Sequence, residues 1–101
     1  MNKNLVWSKE SLARLQEIED FIAEDNPKAA LEFISKIINR AETITLHPKK
    51  GRIVPEIAVE NIRELIYKNY RIVYLIKEKA IVILTVFEGH KLLNEEDLYE
   101  I

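Results

Sequence analysis

Cysteine is absent from the chain, which excludes a disulfide framework, a thiolate metal site and a cysteine nucleophile. Histidine occurs only at 47 and 90, a spacing that fits no metal-ligand motif, and neither a metal nor a cofactor is expected. With 2 glycines and 3 prolines, the chain is too poor in turn-formers for a many-turned all-β fold and has the wrong composition for disorder. No apolar run approaches the ~20 residues of a membrane span. The opening MNKNLVWSKE does not read as a signal peptide, because Lys9 and Glu10 follow only Leu5-Val6-Trp7. The expected setting is therefore the cytoplasm, away from any membrane. Neither sign of charge dominates: 15 bases against 17 acids leave −2, unlike a protein built to coat nucleic acid.

What is present suits one small domain, residues 1–101. Apolar residues make up 48% of the chain, enough for a modest core, although a domain of this size is marginally stable. The charges are unevenly spread. From His47 to Ile72, Lys49, Lys50, Arg52, Arg63, Lys68 and Arg71 stand against Glu56, Glu60 and Glu64, while Glu95, Glu96, Asp97 and Glu100 crowd the end. A basic middle and an acidic tail suggest that the middle meets something anionic.

Leu5-Val6-Trp7 reads as a short strand. Ser8 is a good helix N-cap with Glu10 in the first turn, and Leu12, Leu15, Ile18, Phe21 and Ile22 recur at spacings of three and four to about Ala23. Asn26-Pro27 restarts a helix, since proline's missing N–H costs nothing at the first position. Ala30, Phe33, Ile34, Ile37, Ile38, Ala41 and Ile44 carry the period to about Leu46, and Pro48 prevents continuation. Lys49 to Asn61 has no clean period and reads as a loop, where Gly51 is expected to supply a backbone angle that other residues disfavour. Three strands rich in β-branched and aromatic residues follow: Ile62–Lys68, Tyr70–Lys77 and Ala80–Phe87. In the second, Tyr70, Ile72, Tyr74 and Ile76 share one face and Arg71, Val73, Leu75 and Lys77 the other, where Arg71 is open to a ligand or to solvent; the third is apolar on both faces, as an interior strand should be. The expected fold is α+β in the order β-α-α-β-β-β: a short N-terminal strand, an antiparallel helical hairpin and a three-stranded antiparallel meander, with the helices on one face of one sheet. Leu92–Ile101 fits either a short helix or a strand.

The residues also carry a family resemblance. Trp7-Ser8, DNPKAALEFISKI, HPKKGRIVPE, IRELIYKNYRIVYLI and IVILTVFEGHKLL, in this order, resemble the RelE/ParE toxins of bacterial type II toxin–antitoxin modules, and look closest to the ParE-like, plasmid-stabilisation branch. The resemblance covers nearly the whole chain. It implies a growth-inhibiting toxin bound by a cognate antitoxin, in a toxin–antitoxin hetero-oligomer. It leaves two kinds of target open: DNA gyrase, which ParE-like members poison without being enzymes, and the ribosome, where RelE-like members cut mRNA. A third reading is an attenuated interaction module that keeps only the fold.

Cleaving RNA without a metal requires a base for the 2′-hydroxyl and cations around the phosphate. If the chain is RelE-like, Arg71, Lys91, His90 and Glu56 are the candidates for that work, arginine because its planar fork donates paired hydrogen bonds to phosphate. For target or antitoxin binding the candidates are Lys49, Lys50, Arg52, Arg63, Arg71 and Lys91. Arg63 has a structural alternative, pairing with Glu56, Glu60 or Glu64 to anchor the preceding loop. Tyr67, Tyr70 and Tyr74 could stack on bases but read better as half-buried sheet residues, and Trp7 as core. Many ParE-like toxins carry a His-Gly-small-Arg-x-Leu pattern at the last strand's end. This chain has Glu88, Gly89, His90 and Lys91 there, so His90 does not take over the family histidine's position and the arginine fork is lost.

Overall fold

The computed structural model describes residues 3–89. The segment from His90 onward, with the candidates His90 and Lys91 and the C-terminal expectation, lies outside the described residues. Strand β1 (Asn4–Trp7) leads into α1 (Lys9–Ala23) and α2 (Pro27–Ile44); β2 (Arg52–Ile53), β3 (Ile62–Tyr67), β4 (Tyr70–Ile76) and β5 (Ala80–Glu88) follow. The fold is α+β, as the residue pattern implies, with a sheet larger than the expected meander. The five strands lie in the order β1-β5-β4-β3-β2. β1 runs parallel to β5, with Leu5 opposite Ile81, and the other neighbours are antiparallel. No helix among the described residues is long and apolar enough to cross a membrane.

The helix starts follow from their caps. Ser8 Oγ accepts from the Ser11 N–H at 3.0 Å and donates to the Leu84 carbonyl, so one side chain satisfies a helix end and ties it to β5. Asn26 Oδ1 accepts from the Ala29 N–H at 3.1 Å, with Pro27 at the first helical turn. Leu15 and Ile18 of α1 and Ile37, Ala41 and Ile44 of α2 then pack on Ile72, Tyr74, Ile81, Ile83 and Val86 of the sheet. Burying each of the larger side chains stabilises the fold by about 1.5–3 kcal/mol. The buried stripe is narrower than the periodicity suggests: Leu12 and Phe21 fall on its rim and stay exposed.

The opposite face of the sheet is also buried, which corrects the expectation that Arg71 is open to a ligand or to solvent. Residues 54–61 fold across this face, and Val54 joins Val73, Val82 and Leu84 in a second small core, flanked by Ile57, Ile62, Leu75 and Phe87. Reaching back this way places Ala58 in the left-handed region, at φ 56°, a strain of about 1–2 kcal/mol for a residue with a Cβ. A bulge in β5 serves both layers. Tyr74 opposes Ile83 while Val73 opposes Thr85, so Leu84 is the extra residue, and the shift keeps Ile83 and Val86 together on the helical face.

The segment read as a plain loop holds two further elements, a 3₁₀ turn at Pro48–Lys50 and strand β2. A two-residue strand carries too little alternation to be seen in sequence; its pairing, Arg52 with Glu64 and Ile53 with Arg63, arises only once β3 is in place. Gly51 sits there for a reason other than backbone angle. Its φ of −79° and ψ of 158° are ordinary extended values, but a Cβ would collide with the Glu64 carbonyl oxygen and lie 2.7 Å from Tyr74 Oη.

Candidate functional site

The charged residues of the chain's middle converge on β2, β3 and β4. Arg71 and Glu64 point to the face crossed by residues 54–61, and that cover leaves them 3% and 1% exposed. An arginine and a glutamate so deep need each other, because an isolated buried charge is costly. Arg71 Nε donates to Glu64 Oε1 at 2.5 Å. The two terminal nitrogens of Arg71 donate to Glu56 Oε2 at 2.7 Å and Oε1 at 2.8 Å, a fork-on-fork pair. The second oxygen of Glu64 accepts from Arg52 Nε at 2.6 Å. Two cations and two anions thus form a chain Glu56–Arg71–Glu64–Arg52, buried at its middle and open at Arg52, whose side chain is 61% exposed. The Phe87 ring lies against the Arg71 guanidinium, 5.1 Å to its centroid. The hydrogen bonds to Glu56 push the Arg71 pKa above the usual arginine value, overriding the burial that works against its charge.

A second set of contacts clamps the loop from the other side of the same strands. Tyr74 Oη donates to the Pro48 carbonyl at 2.6 Å and accepts from the Gly51 N–H at 2.9 Å. Burial raises the Tyr74 pKa, with the Gly51 N–H and the nearby Arg63 charge acting in the opposite sense. Arg63, directly opposite Tyr74 in the ladder, donates to the carbonyls of Gly51 and Glu60, both at 3.0 Å. It anchors the loop through backbone oxygens, whereas the sequence pointed to carboxylates. Gly51 admits the close approach on which both sets of contacts depend.

Arg52, Arg63 and Arg71 all belong to this framework, and so does Glu56. Lys49 and Lys50 stand on the surface: Lys49 Nζ is 3.4 Å from Glu60 and Lys50 Nζ 3.1 Å from Thr43 Oγ1. Tyr67 and Tyr74 are buried and Tyr70 is half-buried; Phe33 packs on Tyr67 and Tyr70, and Arg40 lies against the Tyr67 ring. Burial, then the charge of Glu88, raises the Tyr70 pKa. Trp7 is half-buried against the main core. Among the described residues, no group of three or more His, Asp or Glu side chains is placed to hold a metal ion. The sequence reading passed over Glu64 as the hub and Tyr74 as the clamp. One signal for Glu64 was available: an acid inside IRELIY, with Ile62 and Ile66 flanking it on the same side of the strand, calls for a cation from a neighbouring strand.

Comparison with known proteins follows this architecture. The profile of the ParE toxin of type II toxin–antitoxin systems, parDE, matches residues 5–93. The candidate toxin Y4kP of Sinorhizobium fredii is 32% identical over 91 residues, covering 88% of this chain and 91% of Y4kP. Among solved structures, the chromosomal ParDE system of P. aeruginosa superposes with a TM-score of 0.72 at 22% identity, over 85% of this chain and 95% of that one. The RelBE2 toxin–antitoxin complex of Mycobacterium tuberculosis gives 0.64 at 14% identity, over 87% and 99%. At these identities the two structures establish a shared fold, and the profile and the S. fredii relative establish the lineage. On that sequence match from Leu5 to Leu93, the chain belongs to the ParE toxin family of type II toxin–antitoxin systems.

Proposed function

We propose that this toxin inhibits growth by binding a macromolecular target of the DNA gyrase type, without cutting RNA, and that a cognate antitoxin neutralises it in the cytoplasm by occupying its surface. The observation that carries the reading is the state of Arg71. Three of its nitrogens are committed to carboxylate oxygens of Glu56 and Glu64, in a site 3% exposed. Putting a phosphate there would break a buried, hydrogen-bonded charge pair, a loss of about 3–5 kcal/mol. Two of the four residues that a ribonuclease reading needs, Arg71 and Glu56, therefore neutralise each other. The bases left at the surface, Lys49, Lys50 and the outer half of Arg52, suit recognition of a partner more than chemistry.

Two assays test this on the purified chain. Addition to a gyrase supercoiling reaction is expected to inhibit it, and primer extension on translated mRNA is expected to show intact transcripts. Transcripts cut in a ribosome-dependent manner, with supercoiling unaffected, would overturn the reading in favour of an mRNA endoribonuclease. Co-expression with a cognate antitoxin is expected to restore growth and to yield a stable complex.

A further inference from the structure

One hollow of the surface lies apart from the buried charge chain. Lys3, Leu46, His47, Pro48, Lys49, Lys50 and Ile76 line an open hollow of about 530 Å³ at the C-terminal end of α2. Its composition is one-sided. Among the described residues, three lysines and a histidine line it and no carboxylate does, with Lys49 also reaching Glu60 at 3.4 Å. Lys3 is fixed in place, its Nζ donating to the carbonyls of Lys77 at 2.8 Å and Glu78 at 2.6 Å at the β4–β5 turn. Lys50 is held toward Thr43, and Pro48 is pinned beneath by Tyr74. Between the cations lies an apolar floor of Leu46, Pro48 and Ile76, with Leu46 60% exposed. A leucine that exposed at a helix end covers no core.

We propose that this hollow is a docking site for an acidic peptide segment carrying an aliphatic anchor, with the anchor seated on Leu46, Pro48 and Ile76 and its flanking carboxylates on Lys3, Lys49 and Lys50. Charge complementarity selects an acidic occupant. The floor decides against a nucleic acid, because single strands bind on aromatic platforms and none of the described residues lining the hollow is aromatic. The proposal rests on the toxin–antitoxin reading only for the identity of the partner that supplies the segment; the chemistry of the site stands without it.

The test uses the full chain and a fluorescein-labelled synthetic peptide of repeating Glu-Leu-Glu. Anisotropy is expected to report binding that weakens with added salt, and amide spectra to shift at residues 46–50 and around Lys3 and Ile76. Lys49→Glu with Lys50→Glu is expected to lower affinity by tenfold or more, and Leu46→Ser by about tenfold, since 1.4 kcal/mol corresponds to that factor. All three side chains are exposed, so the variants keep the wild-type circular dichroism. Wild-type affinity in either variant overturns the proposal. So does tighter binding of a single-stranded oligonucleotide than of the peptide, or equal binding of a Lys-Leu-Lys peptide. Growth arrest is scored separately: a chain that binds the peptide but does not slow growth keeps this site and loses the functional reading.

Discussion

Glu64→Gln tests the buried charge chain directly, because it removes one negative charge and leaves the side chain's shape. In the wild type that carboxylate has no exposure and receives Arg71 on one oxygen and Arg52 on the other. Without it, Arg52 relaxes into water, where most of its side chain already lies. Arg71 cannot: its side chain is 4% exposed, so it keeps Glu56 and loses full compensation. Breaking a buried pair costs about 3–5 kcal/mol, and the remaining Glu56 fork puts Glu64→Gln near the lower figure, about 3 kcal/mol. A domain of this length has only about 5–15 kcal/mol in total. At about 4–8 °C per kcal/mol, Tm falls by roughly 12–24 °C. The assay is urea unfolding followed by the fluorescence of Trp7, the single tryptophan. The control is Glu17→Ala, the 62% exposed partner of Arg14 one turn along α1, where about 0.2–0.5 kcal/mol is expected. Replacing both partners, Glu64→Met with Arg71→Met, is expected to cost less than Arg71→Met alone, which leaves the buried carboxylate with Arg52 as its one remaining cation. A Glu64→Gln loss below about 1 kcal/mol, matching a surface pair, refutes the reasoning.

Three further outcomes follow from the same geometry. Gly51→Ala is expected to destabilise by about 1–3 kcal/mol through overpacking, because its Cβ meets the Glu64 backbone and Tyr74 Oη; calorimetry checks it, and a neutral result would show that the loop does not need the close approach. Tyr74 and Tyr70 both have raised folded-state pKa values, so the folded chain holds phenol protons that the unfolded chain releases near pH 10. The resulting stability is complete below pH 10 and is lost as pH climbs through the folded values; urea midpoints should drop between pH 9 and 11, less steeply in Tyr74→Phe, and a midpoint rising over that range contradicts the assignment. Ala58→Gly and Lys68→Gly, at φ 56° and 53°, are each expected to be neutral or to stabilise by up to about 1 kcal/mol; a loss above that in thermal melts would mean that the methyl or the lysine stem contributes packing.

The sequence alone determined the elements whose cause is local. Ser8 and Asn26-Pro27 specify helix starts through their own side chains and ring, and the spacing of Leu15, Ile18, Ile37, Ala41 and Ile44 specifies which face is buried. Runs of branched and aromatic residues mark β3, β4 and β5, and the ordered motifs from Trp7 to Leu93 carry the family. Tertiary structure decided the rest. The sheet's second face is covered by a segment with no period of its own, so nothing local distinguishes a buried Arg71 from an exposed one; alternation assigns a residue to a side of the sheet without saying what lies over that side. β2 pairs only because β3 offers it an edge, and Glu64 meets both Arg71 and Arg52 only through that ladder. The contacts of the whole charge chain, Glu56 to Arg71 included, span up to 15 residues. They turn a set of surface-like charges into a loop-holding network, because it is the removal of water by the fold, and not the residue types, that makes a charge pair obligatory.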